Sequence, residues 1–177
     1  CWQQLSRRAD IWQLAVDDAA ANDQRGKIQL LQYNMIYNPE SSYLGEKLPV
    51  SIERDRMFGF ATYLMAHGNY TFYTMGQIGL NDPAKVWFPA IRYDLGKPTE
   101  KYHLFKEAPD SAAPVFARDY SKALVLVRPH SGGAFGDETA IIYKLPGKFQ
   151  PLNYDGSLGL PTEGVTLRNA EAAILVK

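Results

Sequence analysis

The stretch VFARDYSKALVLVRPHSGG, residues 115–133, decides the predicted fold of the C-terminal part of the chain. Two apolar runs flank the dipeptide Ser-Lys, an arrangement that predicts a β-hairpin. Three more runs of this kind follow, with glycine- and proline-rich segments between them: TAIIYKL, KFQPLNY and VTLRNAEAAILVK. Short strands at close spacing with turn residues between them predict an antiparallel β domain over residues 111–177.

Residues 1–110 have a different pattern, in which helices and strands alternate. Apolar residues at three- and four-residue steps predict a helix over residues 3–24, with Gly26 as its C-terminal stop. The nearly continuous apolar run KIQLLQYNM, residues 27–35, predicts a parallel strand that is buried on both faces. A second helix follows the N-cap candidate Ser51, and the aromatic run NYTFYTMG, residues 69–76, predicts the next strand. This alternation is typical of an α/β fold with a parallel sheet.

Several segments resemble the C-terminal portion of glycoside hydrolase-like (β/α)8-barrel proteins. The segments are FGFATYLMAHGNYTFY, DLGKPTEKY, FARDYSKALVLVRP, IIYKLPGKFQPLNYDG and GVTLRNAEAAILVK. The resemblance starts near residue 28 and rests on structural motifs, none of which is a catalytic signature. It implies the last βα units of a (β/α)8 barrel over residues 1–110, followed by a small antiparallel, β-sandwich-like domain over residues 111–177. It also implies an upstream polypeptide segment or chain that completes the barrel, and it favours an extracellular or periplasmic location.

The chemistry of such barrels lies at the C-terminal ends of the strands, which directs attention to the residues after KIQLL and NYTF. Aromatic faces stack on the apolar surface of pyranose rings, and amides form hydrogen bonds with hydroxyl pairs, so polar and aromatic residues there are candidates for binding a carbohydrate ligand. The candidates are Gln32, Tyr33, Asn34, Tyr73, Thr74, Gln77 and Trp87. The alternative for the tyrosines is that they fill the wall of the sheet.

Glycoside hydrolysis ordinarily needs two carboxyl groups. Neither predicted strand ends in Asp or Glu, although Glu40, Glu46 and Asp82 lie in the loops that follow, and Glu53 and Asp55 are better explained as charges in the first turn of a helix. We therefore expect the catalytic carboxylates mainly outside this chain. The predicted function is the C-terminal part of a carbohydrate-active enzyme, an O-glycosyl hydrolase acting on a poly- or oligosaccharide. The alternative is a noncatalytic carbohydrate-binding or structural module.

Charge and hydropathy argue against two other classes of partner. The 19 basic and 19 acidic residues give a net charge of zero, which disfavours attraction to nucleic acid or to anionic lipid. No apolar run has the roughly 18 residues that a membrane-spanning helix needs. The sequence therefore predicts neither a nucleic-acid partner nor a membrane partner.

No cofactor and no metal site are predicted. His67, His103 and His130 are far apart in the sequence, without a neighbouring cysteine or carboxylate at ligand spacing. For Arg118 and Asp119, at the start of the hairpin, we predict a structural role, in which charge-assisted hydrogen bonds tie the β domain to the preceding barrel.

Overall fold

The computed structural model of this protein describes residues 2–5, 9–34, 51–76, 87–107, 114–130 and 140–177. Within these ranges the chain forms two α-helices, nine β-strands and a short 3-10 helix at Pro89–Arg92. In chain order the helices and strands are β1 (Trp2–Leu5), α1 (Ala9–Gln24), β2 (Gln29–Asn34), α2 (Ile52–Ala66), β3 (Thr71–Gly76), β4 (His103–Lys106), β5 (Val115–Tyr120), β6 (Ala123–Arg128), β7 (Ile141–Pro151), β8 (Thr162–Leu167) and β9 (Glu171–Val176).

Strands β1, β2 and β3 form a parallel sheet with β2 in the middle. Residues of β2 alternate between its two faces, and the odd-numbered Gln29, Leu31 and Tyr33 are buried. Gln29 donates a hydrogen bond to the carbonyl of Ala19 in α1, and Tyr33 donates one to Asp55 in α2. Both helices therefore cover the same face of this sheet.

The remaining strands form one antiparallel sheet in the order β4-β5-β6-β9-β7-β8. Every residue of β6 is buried, because this strand has a core on each face. Val125 and Val127 belong to the core shared with the helices, while Leu124 and Leu126 belong to a second core that includes Tyr143 of β7. The sheet thus curls over itself, and β7 and β8 cover its second face.

The two helices lie between the parallel and the antiparallel sheet. Trp12 of α1 is fully buried, stacks on Phe116 of β5 with ring centroids 4.9 Å apart, and donates from Nε1 to Thr62 of α2 at 3.0 Å. Helix α2 in turn contacts β5, β6 and β9 on one side and β2 and β3 on the other. One continuous core therefore joins the parallel sheet, the helices and the antiparallel sheet.

The predicted fold class is wrong. Within the described residues the parallel strands form an open three-stranded sheet, and six of the nine strands belong to an antiparallel sheet, which is not the helix-rich alternation of a (β/α)8 barrel. The physical reason is that α2 packs against β5, β6 and β9 of the antiparallel sheet, and Trp12 of α1 stacks on Phe116 of β5, so the helices do not lie on the outside of a closed ring of strands. The β-sandwich-like domain is likewise a single curled sheet and not two facing sheets.

Two local predictions also need correction. The first helix begins at Ala9 and not near residue 3, because Trp2–Leu5 pairs in parallel with β2. Strand β2 is not buried on both faces, since Leu30 is 39% exposed on the face opposite the helices. The boundary near residue 110 stays a prediction; β4, just before it, pairs with β5, just after it.

The predicted caps are confirmed. Ser51 is the N-cap of α2, and its side chain accepts a hydrogen bond from the backbone N–H of Arg54 at 3.2 Å. Gly26 follows α1 with a φ of +70°, a conformation that glycine adopts without the steric cost of a side chain. Gly26 thus marks the end of α1, and Ser51 marks the start of α2.

Candidate functional site

The even-numbered residues of β2 and β3 form the open face of the parallel sheet, opposite the helices. Leu30 is in register with Phe72, Gln32 with Thr74, and Asn34 with Gly76. Leu30 and Phe72 are 39% and 57% exposed, so the amino-terminal half of this face is apolar and accessible. The carboxyl-terminal half carries the amides and the threonine hydroxyl. We use the term open face for Leu30, Gln32, Asn34, Phe72, Thr74 and Gly76.

Gln32 and Asn34 form an amide pair on the open face. The Nε2 of Gln32 donates to the Oδ1 of Asn34 at 2.8 Å, and both side chains are half-buried. Gly76 leaves room for them, because a Cβ at this position would lie 2.3 Å from the Gln32 Nε2 and 2.9 Å from the Asn34 Oδ1. The pair joins two of the predicted site residues at the carboxyl end of β2.

The two tyrosines among the predicted site residues lie on the helix-facing side. Tyr33 is fully buried, and its hydroxyl donates to Asp55 Oδ1 at 2.6 Å. Tyr73 packs against Phe60 and Tyr63 of α2, with ring centroids 6.0 and 5.0 Å away. These positions correspond to the packing alternative considered for both tyrosines. The buried Asp55 accepts a hydrogen bond from a strand, a contact beyond the helix-end role that the sequence predicted.

Other predicted residues fall elsewhere. Trp87 is 58% exposed and precedes the 3-10 helix. Gln77 and the loop carboxylates Glu40, Glu46 and Asp82 lie outside the described residues. None of the described residues of the open face is a carboxylate.

A cleft of about 930 Å³ lies between the ends of both helices and the segment before β4. Sequence analysis did not identify it, because its walls come from three distant parts of the chain. Tyr102 lines the cleft, and its hydroxyl donates a hydrogen bond to Asp17 of α1 at 2.6 Å. Burial and the Asp17 carboxylate raise the pKa of Tyr102, so this phenol stays protonated as a hydrogen-bond donor.

The strongest charges in the cleft are engaged in holding the fold together. Arg118 donates from Nη1 to the carbonyls of Leu64, Met65 and His67 at 2.8 to 2.9 Å. Asp23 of α1 accepts from the backbone N–H of Tyr70 at 2.6 Å and from the hydroxyl of Thr71. The structural role predicted for Arg118 is confirmed, with α2 as the element to which the β sheet is tied.

His67, at the end of α2, also lines the cleft. Burial, reinforced by the nearby Arg118 guanidinium, lowers its pKa below the ordinary value of 6.5. Its Nδ1 is buried without a hydrogen-bond partner among the described residues. The neutral imidazole packs instead against the ring of Tyr63, with centroids 5.1 Å apart. His67 therefore fits an apolar contact at the end of α2 better than a ligand-binding role.

Near the cleft, three potential metal ligands that are separated in the sequence come together. Glu100, His103 and Asp119 each offer a ligand atom, and the three atoms lie within 4.8 Å of one another. Sequence analysis predicted no metal site because it did not pair β4 with β5. Glu100 does lie three residues before His103, a spacing that the sequence-based prediction did not count as that of metal ligands.

Comparisons with known proteins do not identify the chain, since no family model and no curated protein matches it. Neither described helix combines the length and the hydropathy that a membrane-crossing helix requires.

Proposed function

We propose that this chain is part of a carbohydrate-active enzyme, an O-glycosyl hydrolase acting on a poly- or oligosaccharide, and that its own role is to bind sugar at the open face. The observation that carries this proposal is the Gln32–Asn34 amide pair, next to exposed apolar residues on the same face. A sugar ring has an apolar surface bordered by hydroxyl groups, so it requires this combination of groups.

The dimensions of the open face match a single sugar unit. Phe72 and Leu30 form one row across the sheet, and Thr74 and Gln32 form the next row, two residues further along the strands. Two residues of a parallel strand span about 6.6 Å, which is close to the width of a pyranose ring with its hydroxyls. A ring stacked on Phe72 would thus place its hydroxyls within reach of the threonine and the amides.

The described open face has no carboxylate, which supports a separation of substrate binding from catalysis within the enzyme. In this proposal the catalytic acid and its partner carboxylate lie on other parts of the enzyme, and this chain orients the substrate. The same observation favours a second candidate, a noncatalytic carbohydrate-binding module. Hydrolysis by the assembly of this chain with the segment that completes the enzyme distinguishes them, because a noncatalytic module releases no reducing ends in any assembly.

The experiment measures binding of the purified protein to a panel of soluble polysaccharides and oligosaccharides that contains glucans, xylans, mannans and chitin fragments. Gln32→Ala and Asn34→Ala should each weaken binding about tenfold, the effect of losing roughly 1.4 kcal/mol of hydrogen bonding. Gln24→Ala, which removes an exposed amide at the end of α1, is the matched control and should leave affinity unchanged. Failure to bind any glycan of the panel, or equal affinity in both open-face variants and the parent, would contradict the proposal.

A further inference from the structure

Strand pairing brings together three side chains of the kinds that bind metal ions. Glu100 and His103 are three residues apart, and the Oε1 of Glu100 lies 3.2 Å from the Nδ1 of His103. Asp119 lies near the end of β5, and its carboxylate completes a group whose ligand atoms are all within 4.8 Å of one another. One imidazole nitrogen and two carboxylate oxygens form a mixed nitrogen and oxygen ligand set.

The backbone positions of the three residues are held by hydrogen bonds between the two segments. The N–H of Thr99 donates to the carbonyl of Asp119 at 3.0 Å, and the Nε of Arg118 donates to the carbonyl of Glu100 at 3.0 Å. His103 is in register with Ala117 of β5. Binding of a metal ion would therefore require only rotation of the three side chains, because hydrogen bonds already fix the main chain.

We propose that Glu100, His103 and Asp119 bind a divalent zinc ion. Bonds of 2.0 to 2.2 Å in a tetrahedral site place ligand atoms about 3.3 to 3.6 Å apart, so the present separations must close by about 1.5 Å at most. The side chains of His103 and Glu100 are 45% and 51% exposed and are able to rotate inward. The imidazole favours zinc over magnesium and calcium, which prefer oxygen ligands alone.

The carboxylate of Asp119 already has a cationic neighbour. The Nζ of Lys177 lies 3.2 Å from the Oδ1 of Asp119 and also donates to the carbonyl of Tyr120 at 2.7 Å. Zinc and this ammonium would compete for the same carboxylate, and they repel each other. Removal of the Lys177 charge should therefore strengthen zinc binding, which is the opposite of the effect expected for a ligand.

A zinc ion at this location would affect the molecule in two ways. It would cross-link the segment before β4 to β5, at the edge of the antiparallel sheet. His103 also lines the cleft, so the site lies at the rim of the cleft. Three protein ligands leave the fourth tetrahedral position for water or for a ligand with an oxygen or nitrogen donor.

The test is calorimetric titration of zinc chloride into metal-free protein without a histidine tag, in a Cys1→Ser background that removes the chain's single thiol. We expect one zinc per chain with micromolar affinity, and at least tenfold weaker binding of magnesium and calcium. His103→Gln and Asp119→Asn should each weaken zinc binding at least tenfold. Glu163→Gln, which neutralises an exposed carboxylate on β8, is the matched control and should bind like the parent.

Two further variants and one further readout make the result decisive. Glu100→Gln should weaken binding like the other two ligand variants, whereas Lys177→Gln should strengthen it several-fold. Zinc should also raise the urea midpoint of the parent but not that of His103→Gln, and the midpoints without zinc show that both proteins are folded. No zinc uptake at millimolar concentration, parental affinity in His103→Gln, or unchanged affinity in Lys177→Gln would overturn the assignment.

Discussion

Replacing Arg118 by methionine removes the guanidinium group that ties the antiparallel sheet to the end of α2. This group donates to the carbonyls of Leu64, Met65 and His67 from one nitrogen and to the carbonyl of Glu100 from another. Three of these acceptors are at the C-terminal end of a helix, where the last carbonyls have no partner within the helix and a positive charge is favourable. The variant tests whether this contact stabilises the whole fold.

The magnitude follows from the acceptors that lose their donor. The carbonyl of Leu64 also accepts from the hydroxyl of Tyr120 at 2.8 Å, so it keeps one hydrogen bond. The other two helix carbonyls lose theirs at about 1 kcal/mol each, and losing the cation at the helix end adds about 0.5 to 1 kcal/mol. The fourth acceptor, the carbonyl of Glu100, is exposed, so water replaces the hydrogen bond that it loses.

Part of this sum is offset, because the guanidinium is itself partly desolvated, and burial lowers its pKa. We therefore expect Arg118→Met to lower the free energy of unfolding by about 2 kcal/mol. A chain of this size has a urea m-value of about 2 kcal/mol per molar, so the midpoint should fall by about 1 M at an unchanged m-value. Arg25→Met, which removes an exposed arginine, is the control and should change the free energy of unfolding by less than about 0.5 kcal/mol.

A double-mutant cycle with Tyr120→Phe separates this explanation from a general loss of packing. Tyr120→Phe alone leaves Leu64 with the guanidinium as donor, whereas in the double variant the Leu64 carbonyl has neither donor. The double variant should therefore lose about 1 kcal/mol more than the sum of the single variants. Additive effects, or a loss below about 0.5 kcal/mol for Arg118→Met, would refute the reasoning.

Three further variants test other parts of the fold by urea unfolding. Tyr33→Phe leaves the buried Asp55 without the hydroxyl that lies 2.6 Å from it and should cost about 2 kcal/mol, and a neutral result would contradict that hydrogen bond. Gly26→Ala places a side chain on a residue with a φ of +70° and should cost about 1 kcal/mol; equal or higher stability would argue against this backbone conformation. The lowered pKa of His67 means that the unfolded chain takes up a proton more readily, so stability should fall as the pH drops below 6.5. His67→Gln should make the fall in midpoint between pH 7.5 and 5.5 smaller, and an equal or larger fall would exclude this histidine as a cause.

Local signals in the sequence predict the ends of the elements well. Ser51 as an N-cap and Gly26 as a helix stop are confirmed because each acts through its own backbone or the next few residues. The hairpin of β5 and β6 also follows from a two-residue turn between apolar runs. Each of these features depends on contacts between residues close together in the chain, where propensity and spacing carry the information.

Predictions that depend on long-range pairing were less successful. Leu5 continues the apolar spacing of α1, so periodicity assigned residues 3–5 to the helix, but pairing with β2 gives Trp2–Leu5 a strand conformation. Alternation of helices and strands correctly predicted parallel pairing of β2 with β3, but it contains no information on whether a sheet closes. The barrel itself was predicted from the resemblance of local segments, which likewise contains no information on whether the sheet closes, and the structure contradicts it.

The two candidate sites also differ in how far the sequence could predict them. Gln32 and Asn34 could be found from the sequence because two residues along a strand lie on one face. Glu100, His103 and Asp119 could not, because the pairing of β4 with β5, in which His103 is in register with Ala117, brings Asp119 near a histidine 16 positions earlier. A scan of one sequence for ligand spacing finds sites on single helices and turns, and it misses those built across strands.

Strand β2 shows why the sequence did not separate the buried candidates from those on the open face. The run KIQLLQYNM was predicted to be buried on both faces, and in that environment Tyr33 and Asn34 would be equivalent candidates. Because α1 and α2 cover only one face, the roles follow from position along the strand: Tyr33 packs against α2, and Asn34 lies on the open face. The sequence contains the alternation but not the side that the helices occupy, since that side is set by their packing against the antiparallel sheet. The strongest physical argument for a binding role therefore belongs to Gln32 and Asn34, whose amides lie on the face that no described helix covers.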